Sequence, residues 1–389
     1  MYILKSLWRR IRKFSGLKDL SYLGVANFGG SIISSVFWFY LAAIMGPENY
    51  GEISYLIAIA GVASVLCLFG SGYTLIIYTA KKENLLPIVT LISIGSSFIA
   101  AIVLYLLFKE PSLGIYAIGY VIFNLAIADL LGRKLYKKYS TIFLCQKLLL
   151  IILGVTLYYV IGTNGVIIGF GLSMVIFIIP VYQSLKKSKF EITPLKKRLG
   201  FSINMYVESL ARTFSGQTDK LIIAPLLGFT LLGNYHLGMQ FLSLLTILPS
   251  IVLQYTLPQD ATGDTKKNIK KYTIFASIGF AIISIVLSPI VIPILFPEYT
   301  ETVILIQIVS LSIIPRTITI MLMSKILGMG KSRYIIIGSA IFLVVQIPLI
   351  IILGKIMSIQ GVALSLIIAD TAQALFLIGV NQKILKSKN

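Results

Sequence analysis

The turn at residues 46–51, GPENYG, recurs at residues 228–233 as GFTLLG, so that its two glycines repeat at an offset of 182. Tyr73 and Tyr255 keep the same offset. Glycine is common at tight turns, but one register shared by three pairs of positions indicates an internal repeat. The chain is therefore predicted to consist of two similar halves.

A second pair of turns supports the repeat. Gly165 and Gly361, each followed by valine, are offset by 196, and the longer loop at residues 258–271 accounts for the difference between the two offsets. Each half is predicted to hold six helices that start on the same side of a membrane. Transporters built from such parallel repeats bind their substrate between the halves.

The composition indicates an integral membrane protein. Of 389 residues, 57% are apolar and 12% are charged, whereas soluble domains carry about 25% charged residues. A helix needs about 20 apolar residues to cross a hydrocarbon core of about 30 Å. Twelve such segments predict an all-α, polytopic membrane protein. Numbered 1 to 12, they run approximately over residues 20–45, 53–79, 85–108, 112–131, 141–162, 165–184, 201–226, 233–257, 272–296, 302–326, 334–354 and 359–381.

Basic residues are concentrated on one side of the predicted segments. The formal net charge is +20; 27 Lys and Arg residues lie at the termini and in the loops after even-numbered segments, against two, Lys109 and Lys355, in the opposite loops. An excess of positive charge marks cytoplasmic loops. We therefore expect both termini in the cytoplasm and the protein in the cytoplasmic membrane of the cell. The placement of the charges in these loops argues against nucleic acid binding.

Four regions follow from this pattern. Residues 1–19 lack a signal-peptide core and carry apolar residues at helical spacing between cations, which is typical of a cytoplasmic interfacial helix. Residues 20–184 form the predicted N-terminal six-helix lobe, residues 185–200 a basic cytoplasmic linker, and residues 201–389 the C-terminal six-helix lobe. The external loops are too short to hold a catalytic domain, so the chain is not expected to be an enzyme.

Predicted segment 7 carries a polar stripe. Its members fall within an arc of roughly 80° at about 100° per residue. They are Asn204, Glu208, Arg212, Ser215 and Asp219. A charge near the bilayer centre is costly and usually faces a partner or a water-filled cavity. Arg212 lies about 17 Å along this segment, close to mid-membrane, and Glu208 and Asp219 offer it an internal ion pair as an alternative to a ligand.

Segments 8, 10 and 12 add further polar positions. Arg316 follows Pro315, and its depth allows an ion pair with Asp370. Proline kinks often line cavities, which makes Arg316 a second ligand candidate. Asp370 is expected to form this pair, with ion coupling as the alternative. Pro249 predicts a similar bend beside Gln240.

Segment 1 offers Asn27 and Ser31 on one face, without charge. Sugar binding and close helix packing are both compatible with these side chains. His236 is expected to be a solvated interfacial histidine, with proton sensing as the alternative. Cys67 and Cys145 lie in apolar runs, so neither a disulfide framework nor a metal site is indicated.

Several of these stretches resemble a known family. LAAIMGPENYGEISY at residues 41–55, FPEYTE at 296–301, GMGKSR at 328–333 and SIQGVALS at 358–365 are similar to the Wzx-like O-antigen repeat-unit flippases. These polysaccharide exporters belong to the multidrug/oligosaccharidyl-lipid/polysaccharide (MOP) superfamily. The resemblance implies two six-helix lobes around a central cavity and a transporter of polyprenyl-diphosphate-linked oligosaccharide, working by alternating access for surface polysaccharide biosynthesis.

The resemblance assigns the central cavity to the polar residues above. A planar guanidinium suits bidentate binding of a diphosphate, which gives that role to Arg212 and Arg316. The other expected cavity residues are Asn204, Glu208, Ser215, Asp219, Asn27, Ser31 and Gln240. The candidates for ion coupling, with Na⁺ or H⁺, are Glu208, Asp219 and Asp370. No cofactor is expected; the partners would be the lipid-linked oligosaccharide, membrane lipids and other polysaccharide-assembly proteins.

Three other functions are alternatives to this one. An ion-coupled multidrug efflux antiporter of the same superfamily is the strongest competitor. A membrane polymerase or glycosyltransferase would need catalytic residues on sizeable loops, and a scaffold has no need for charge at mid-membrane.

Overall fold

The computed structural model describes residues 15–186, 193–261, 267–329 and 331–386. Within these ranges the side chains of residues 15–20, 193–197, 215, 258, 261, 385 and 386 are not described. The predicted interfacial helix at residues 1–19 falls mostly outside the described residues, as does the middle of the basic linker at residues 185–200.

Across the described ranges the chain forms fourteen helices and no strand, which confirms the all-α fold class. In chain order they are α1 (Ser15–Leu68), α2 (Ser71–Ala80), α3 (Leu86–Phe108), α4 (Pro111–Gly132), α5 (Tyr136–Ile161), α6 (Thr163–Val175), α7 (Ile178–Leu185), α8 (Thr193–Leu227), α9 (Phe229–Leu245), α10 (Ile247–Ala261), α11 (Lys267–Leu295), α12 (Thr302–Ser310), α13 (Ile313–Gly328) and α14 (Arg333–Lys386).

The helices are long and apolar enough for a multi-pass membrane protein. Seven candidate spans occur in the described part of the chain, or up to nine if each of two bent helix pairs is one span. Two of the seven, with 48 and 52 residues, are interrupted by non-helical backbone at Gly46 and Ser358. The charged helix α8 is not among the seven. The count of twelve spans stays a prediction.

Backbone conformations recur at the offsets found in the sequence. Gly46 (φ 73°, ψ 166°) and Gly228 (φ 88°, ψ 169°) adopt nearly the same left-handed conformation at positions 182 apart. Gly162 (φ 70°, ψ −150°) and Ser358 (φ 53°, ψ −136°) do so at positions 196 apart. A positive φ favours glycine, and three of these four residues are glycines. The two offsets of the predicted repeat are thus present in the backbone conformation.

The turns of the first pair also contact each other reciprocally. A Cβ on Gly51 would meet the carbonyl oxygen of Phe229, and a Cβ on Gly233 would meet the carbonyl oxygen of Pro47. The two contacts correspond at the offset of 182, because Gly51 matches Gly233 and Pro47 matches Phe229. The helix after the second turn begins at Phe229 rather than at the predicted residue 233, because Gly228 carries the turn and Gly233 serves the contact.

The chain divides into two compact units. The first comprises Met1–Phe37 and Leu56–Phe214, and the second comprises Trp38–Tyr55 and Ser215–Asn389. They differ from the predicted lobes in the placement of Trp38–Tyr55 and of residues 201–214. The core of the first unit includes Leu75, Leu125 and Phe177; that of the second includes Tyr235, Leu305 and Ala363.

Both predicted proline bends are confirmed. Helices α9 and α10 meet at a bend of 41°, as do α12 and α13. Pro249 and Pro315 each lie just after such a break. A proline lacks the backbone N–H and clashes with the carbonyl four residues earlier. For Pro249 that carbonyl belongs to Leu245 and for Pro315 to Leu311, and both lie at the breaks.

Replacement of Gly233 by alanine is expected to lower the free energy of unfolding. The new Cβ meets the Pro47 carbonyl, a backbone group that cannot rotate away, and overpacking of this kind costs about 1–3 kcal/mol. Thermal unfolding of the detergent-solubilised protein measures the effect. Gly279→Ala is the matched control, because its Cβ meets nothing within 4 Å. Equal unfolding temperatures for the two variants would contradict the reciprocal contact.

Candidate functional site

Arg212 lies in α8 and pairs with Glu208 one turn earlier. Its Nε donates to Glu208 Oε1 at 3.1 Å, and its Nη2 contacts the same oxygen. The guanidinium also lies 5.5 Å from the ring centroid of Tyr73. The Arg212 side chain nevertheless remains 66% exposed. Since arginine carries five N–H donors, this pair leaves donors for a ligand.

Arg212 lines a cavity of about 370 Å³ within the first unit. The cavity walls come from the end of α1, from α2, from α4 and from the middle of α8. Its polar and aromatic lining includes Tyr73, Tyr120, Asn124 and Ser209. Small-molecule sites usually measure about 300–1,000 Å³, so the cavity can hold a ligand group beside Arg212.

The cavity lies where the chain breaks between α1 and α2. The sequence predicts one continuous segment over residues 53–79. This prediction is wrong, because α1 ends at Leu68 and α2 begins at Ser71. Phe69 and Gly70 both have positive φ, 46° and 71°. Gly70 is closely approached by the backbone of Ser202 and Tyr206, where a larger residue would collide. The Tyr206 hydroxyl donates to the Leu66 carbonyl at 3.1 Å, which satisfies one of the acceptors that a helix end leaves open.

The start of α8 is fixed by a second arginine, which the sequence analysis missed. Arg198 Nη2 donates to Glu83 Oε1 at 2.8 Å, and Arg198 Nε donates to Glu83 Oε2 at 3.2 Å. The Arg198 guanidinium also lies 4.9 Å from the Tyr78 ring centroid. The hydrogen bonds to Glu83 raise the pKa of Arg198 above its usual value. This fork holds α8 against the turn after α2, and so helps to position Arg212.

The second unit holds a separate charged cluster. Arg316 Nη2 lies 3.1 Å from Asp370 Oδ2, which confirms the predicted ion pair. The Ser312 hydroxyl donates to the same Asp370 oxygen. The Tyr235 hydroxyl donates to Asp219 Oδ2 at 2.9 Å. Asp370 is almost fully buried, whereas the Arg316 side chain keeps 25% of its surface exposed.

The predicted polar stripe is thus divided between the two units. Asn204, Glu208 and Arg212 belong to the first unit, and Ser215 and Asp219 belong to the second. The side chain of Ser215 lies outside the described residues. Of the two predicted partners of Arg212, Glu208 forms the pair. Asp219 instead accepts hydrogen bonds from the Tyr235 hydroxyl and the Lys220 amide. A central cavity between lobes stays a prediction.

The uncharged candidates occupy two further places. Asn27 and Ser31 are exposed on α1, where the Ser31 hydroxyl donates to the Asn27 carbonyl at 2.8 Å. The Tyr139 hydroxyl reaches Asn27 Oδ1 at 3.4 Å. Gln240 lies on α9, with its Nε2 3.3 Å from His236 Nε2.

His236 is buried, so the expectation of a solvated histidine is wrong. Its ring centroid lies 4.9 Å from that of Tyr50 and 5.6 Å from that of Trp38. The repeated turn brings the Trp38–Tyr55 segment onto α9 and covers the imidazole. The sequence of one helix cannot predict this burial, because the covering residues come from another helix. In the described residues, no group of three or more His, Cys, Asp or Glu side chains could hold a metal ion.

Solved structures with the same fold include a lipid II flippase and multidrug resistance transporters. A structure described as lipid II flippase MurJ in an inward closed conformation matches with a TM-score of 0.75 at 16% identity, covering 92% of this chain and 87% of that one. An inward-facing multidrug resistance MATE family transporter of the MOP superfamily matches with a TM-score of 0.69 at 14% identity, covering 95% and 99%. A eukaryotic MATE transporter gives 0.60 at 16%, covering 94% and 95%. The fold is therefore that of MOP-superfamily membrane transporters.

The sequence also matches a family described as "Polysaccharide biosynthesis protein" over residues 40–306. This match covers more than half of the chain, so the protein belongs to that family. No curated protein matches the sequence.

The Arg316–Asp370 pair is expected to show energetic coupling. Arg316→Gln alone leaves a buried carboxylate unpaired, and Asp370→Asn alone leaves the guanidinium unpaired. Each is expected to cost about 1–3 kcal/mol, less than the about 3–5 kcal/mol of fully buried pairs because Arg316 is partly exposed. The double variant should unfold at a higher temperature than additivity gives. Additive effects in a thermal-unfolding cycle would show that the pair contributes no coupling.

Proposed function

We propose that this protein flips a polyprenyl-diphosphate-linked oligosaccharide from the cytoplasmic to the outer leaflet of the cell membrane, by alternating access. The family match to polysaccharide biosynthesis supports the glycan. The fold shared with a protein described as a lipid II flippase supports the movement of a lipid-linked substrate. The observation that carries the proposal is the exposed Arg212 guanidinium in the lining of a cavity between α1, α2, α4 and α8.

Arg212 would bind the diphosphate of the substrate. A phosphate group accepts two parallel hydrogen bonds from one guanidinium, and charge-assisted bonds of this kind are about twice as strong as neutral ones. Glu208 contacts Arg212 through a single oxygen. This carboxylate therefore holds the guanidinium in position while the site is empty, and a diphosphate competes with it when the site fills.

The cavity beside Arg212 would accept the first sugar. Tyr73 and Tyr120 offer aromatic surface, and Asn124 and Ser209 offer polar groups that can exchange hydrogen bonds with sugar hydroxyls. Sites that combine apolar walls with a few fixed polar groups are typical of small-ligand binding. Arg316, Asn27, Ser31 and Gln240 remain proposed contacts of the substrate on its path.

Ion coupling would use the cluster in the second unit. Asp219 and Asp370 supply two carboxylates, and Arg316 supplies one guanidinium beside Asp370. A buried carboxylate without a cationic partner is costly, so binding of H⁺ or Na⁺ would stabilise this unit and bias its conformation. No covalent bond changes in the proposed cycle, and the protein would act as a transporter rather than an enzyme.

Arg212→Ala is expected to abolish surface-glycan export in cells that express the variant at the wild-type level, because the diphosphate loses its bidentate donor. Arg212→Lys should restore part of the export, since the charge returns without the fork geometry. Surface glycan is measured by antibody or lectin staining. Arg333→Ala is the matched control, because Arg333 is an exposed arginine at the start of α14. Normal export by Arg212→Ala would remove Arg212 from the site.

The competing prediction is an ion-coupled multidrug antiporter, which the fold shared with MATE transporters favours. The two functions make opposite predictions for a deletion strain. Loss of surface glycan with unchanged drug susceptibility supports the flippase. Increased susceptibility to cationic compounds with normal surface glycan supports the antiporter and contradicts our proposal.

A further inference from the structure

A second cavity opens at the cytoplasmic turn between α4 and α5. It has a volume of about 570 Å³ and is lined by residues 134–138 together with Thr141 and Ile142. Three of these residues are lysines, namely Lys134, Lys137 and Lys138. By the distribution of basic residues, this turn lies at the inner surface of the membrane.

The lysines differ from the arginine that precedes them. Arg133 Nε donates to both oxygens of Asp129, at 2.8 and 2.9 Å. Asp129 is buried and also accepts a hydrogen bond from Ser184 at 2.5 Å. The charge of Arg133 is thus balanced by a structural carboxylate. The lysine charges lie beyond this pair and point to an anionic partner.

An exposed apolar stripe leads from this cavity along α5. Thr141, Cys145, Leu148 and Ile152 follow at steps of four, three and four residues, and all four are exposed. This spacing places them on one face of the helix, and the stripe is about 17 Å long at 1.5 Å per residue. A polar, cationic end that continues into an apolar face fits a lipid with an anionic headgroup and a hydrocarbon tail.

The cavity also adjoins the proposed substrate site. Leu131 lines the Arg212 cavity, and its carbonyl accepts a hydrogen bond from the Lys134 amide at 3.0 Å. On the other side, Tyr139 follows Lys138 directly and contacts the exposed Asn27 of α1. A lining residue of one cavity is therefore hydrogen-bonded to a lining residue of the other where α4 ends.

From these observations we infer that the turn between α4 and α5 is the cytoplasmic docking site for the diphosphate headgroup of the lipid-linked substrate, with the polyprenyl tail along the exposed stripe of α5. This inference rests on the proposed function, because it takes the substrate from there. Charge complementarity, the apolar stripe and the shared helix end favour this occupant. An anionic phospholipid offers the same phosphate chemistry without the diphosphate.

Native mass spectrometry of the detergent-solubilised protein, titrated with undecaprenyl diphosphate and separately with phosphatidylglycerol, tests the inference. Lys134→Gln with Lys137→Gln is expected to weaken binding of the diphosphate lipid about 25-fold, at about fivefold per lysine near the membrane surface. Binding of phosphatidylglycerol should change less. Lys81→Gln with Lys82→Gln is the matched control: it removes two charges from another cytoplasmic turn, and Lys82, like Lys134, has a positive φ. The control should bind both lipids as the wild type does.

Flipping assays in proteoliposomes separate this inference from the proposed function. The lysine variant should flip slowly at low lipid concentration and reach the wild-type rate at saturation, since docking precedes transport. Unchanged binding and KM, or equal losses for both lipids, would overturn the docking site while leaving the flippase intact. A wild-type protein that neither binds nor flips the diphosphate lipid would overturn both.

Discussion

The structure depends on the requirement that polar groups within hydrocarbon find their partners inside the protein. The two arginines of the candidate site meet this requirement with a carboxylate, whereas the described partners of Asp219 are the neutral Tyr235 hydroxyl and Lys220 amide. Arg212 pairs with Glu208, and Arg316 pairs with Asp370. In the second unit, the buried Lys270 pairs with Asp260, which also accepts a hydrogen bond from Ser324. The same requirement explains why the Tyr206 hydroxyl serves the Leu66 carbonyl where α1 ends.

These pairs differ in how much of the charge remains available. Asp129 and Asp260 are buried, and each accepts a hydrogen bond from a serine hydroxyl as well as from its cation, which suits a structural role. Arg212 is the opposite case, because its partner uses one oxygen and most of its side chain is exposed. Arg316 lies between these extremes. Exposure, rather than the presence of a charge, therefore distinguishes the residues that can meet a ligand from those that stabilise the fold.

Local sequence patterns predicted the helices, the proline bends and the repeat, because each depends on residues within one or two turns of one another. The i, i+4 pair of Glu208 and Arg212 was accessible for the same reason. The Arg198–Glu83 fork joins residues 115 apart and left no local signal. The break at Phe69 and Gly70 did leave a local signal, because glycines stand at positions 70 and 72. The reason for a glycine at position 70 is the close approach of the α8 backbone, which only the folded structure shows. The burial of His236 likewise required the fold.

The reciprocal contact between the two glycine turns has a consequence for the origin of the chain. In an isologous interface, residue i of one copy touches residue j of the other, and j touches i in return. Pro47 with Gly233 and Phe229 with Gly51 follow this rule, although all four residues belong to one polypeptide. The contact has the form expected of a homodimer of a half-length ancestor whose two copies later became joined in one chain. Each turn then keeps two glycines for different reasons, one for its own positive φ and one for the contact with the duplicate of that turn.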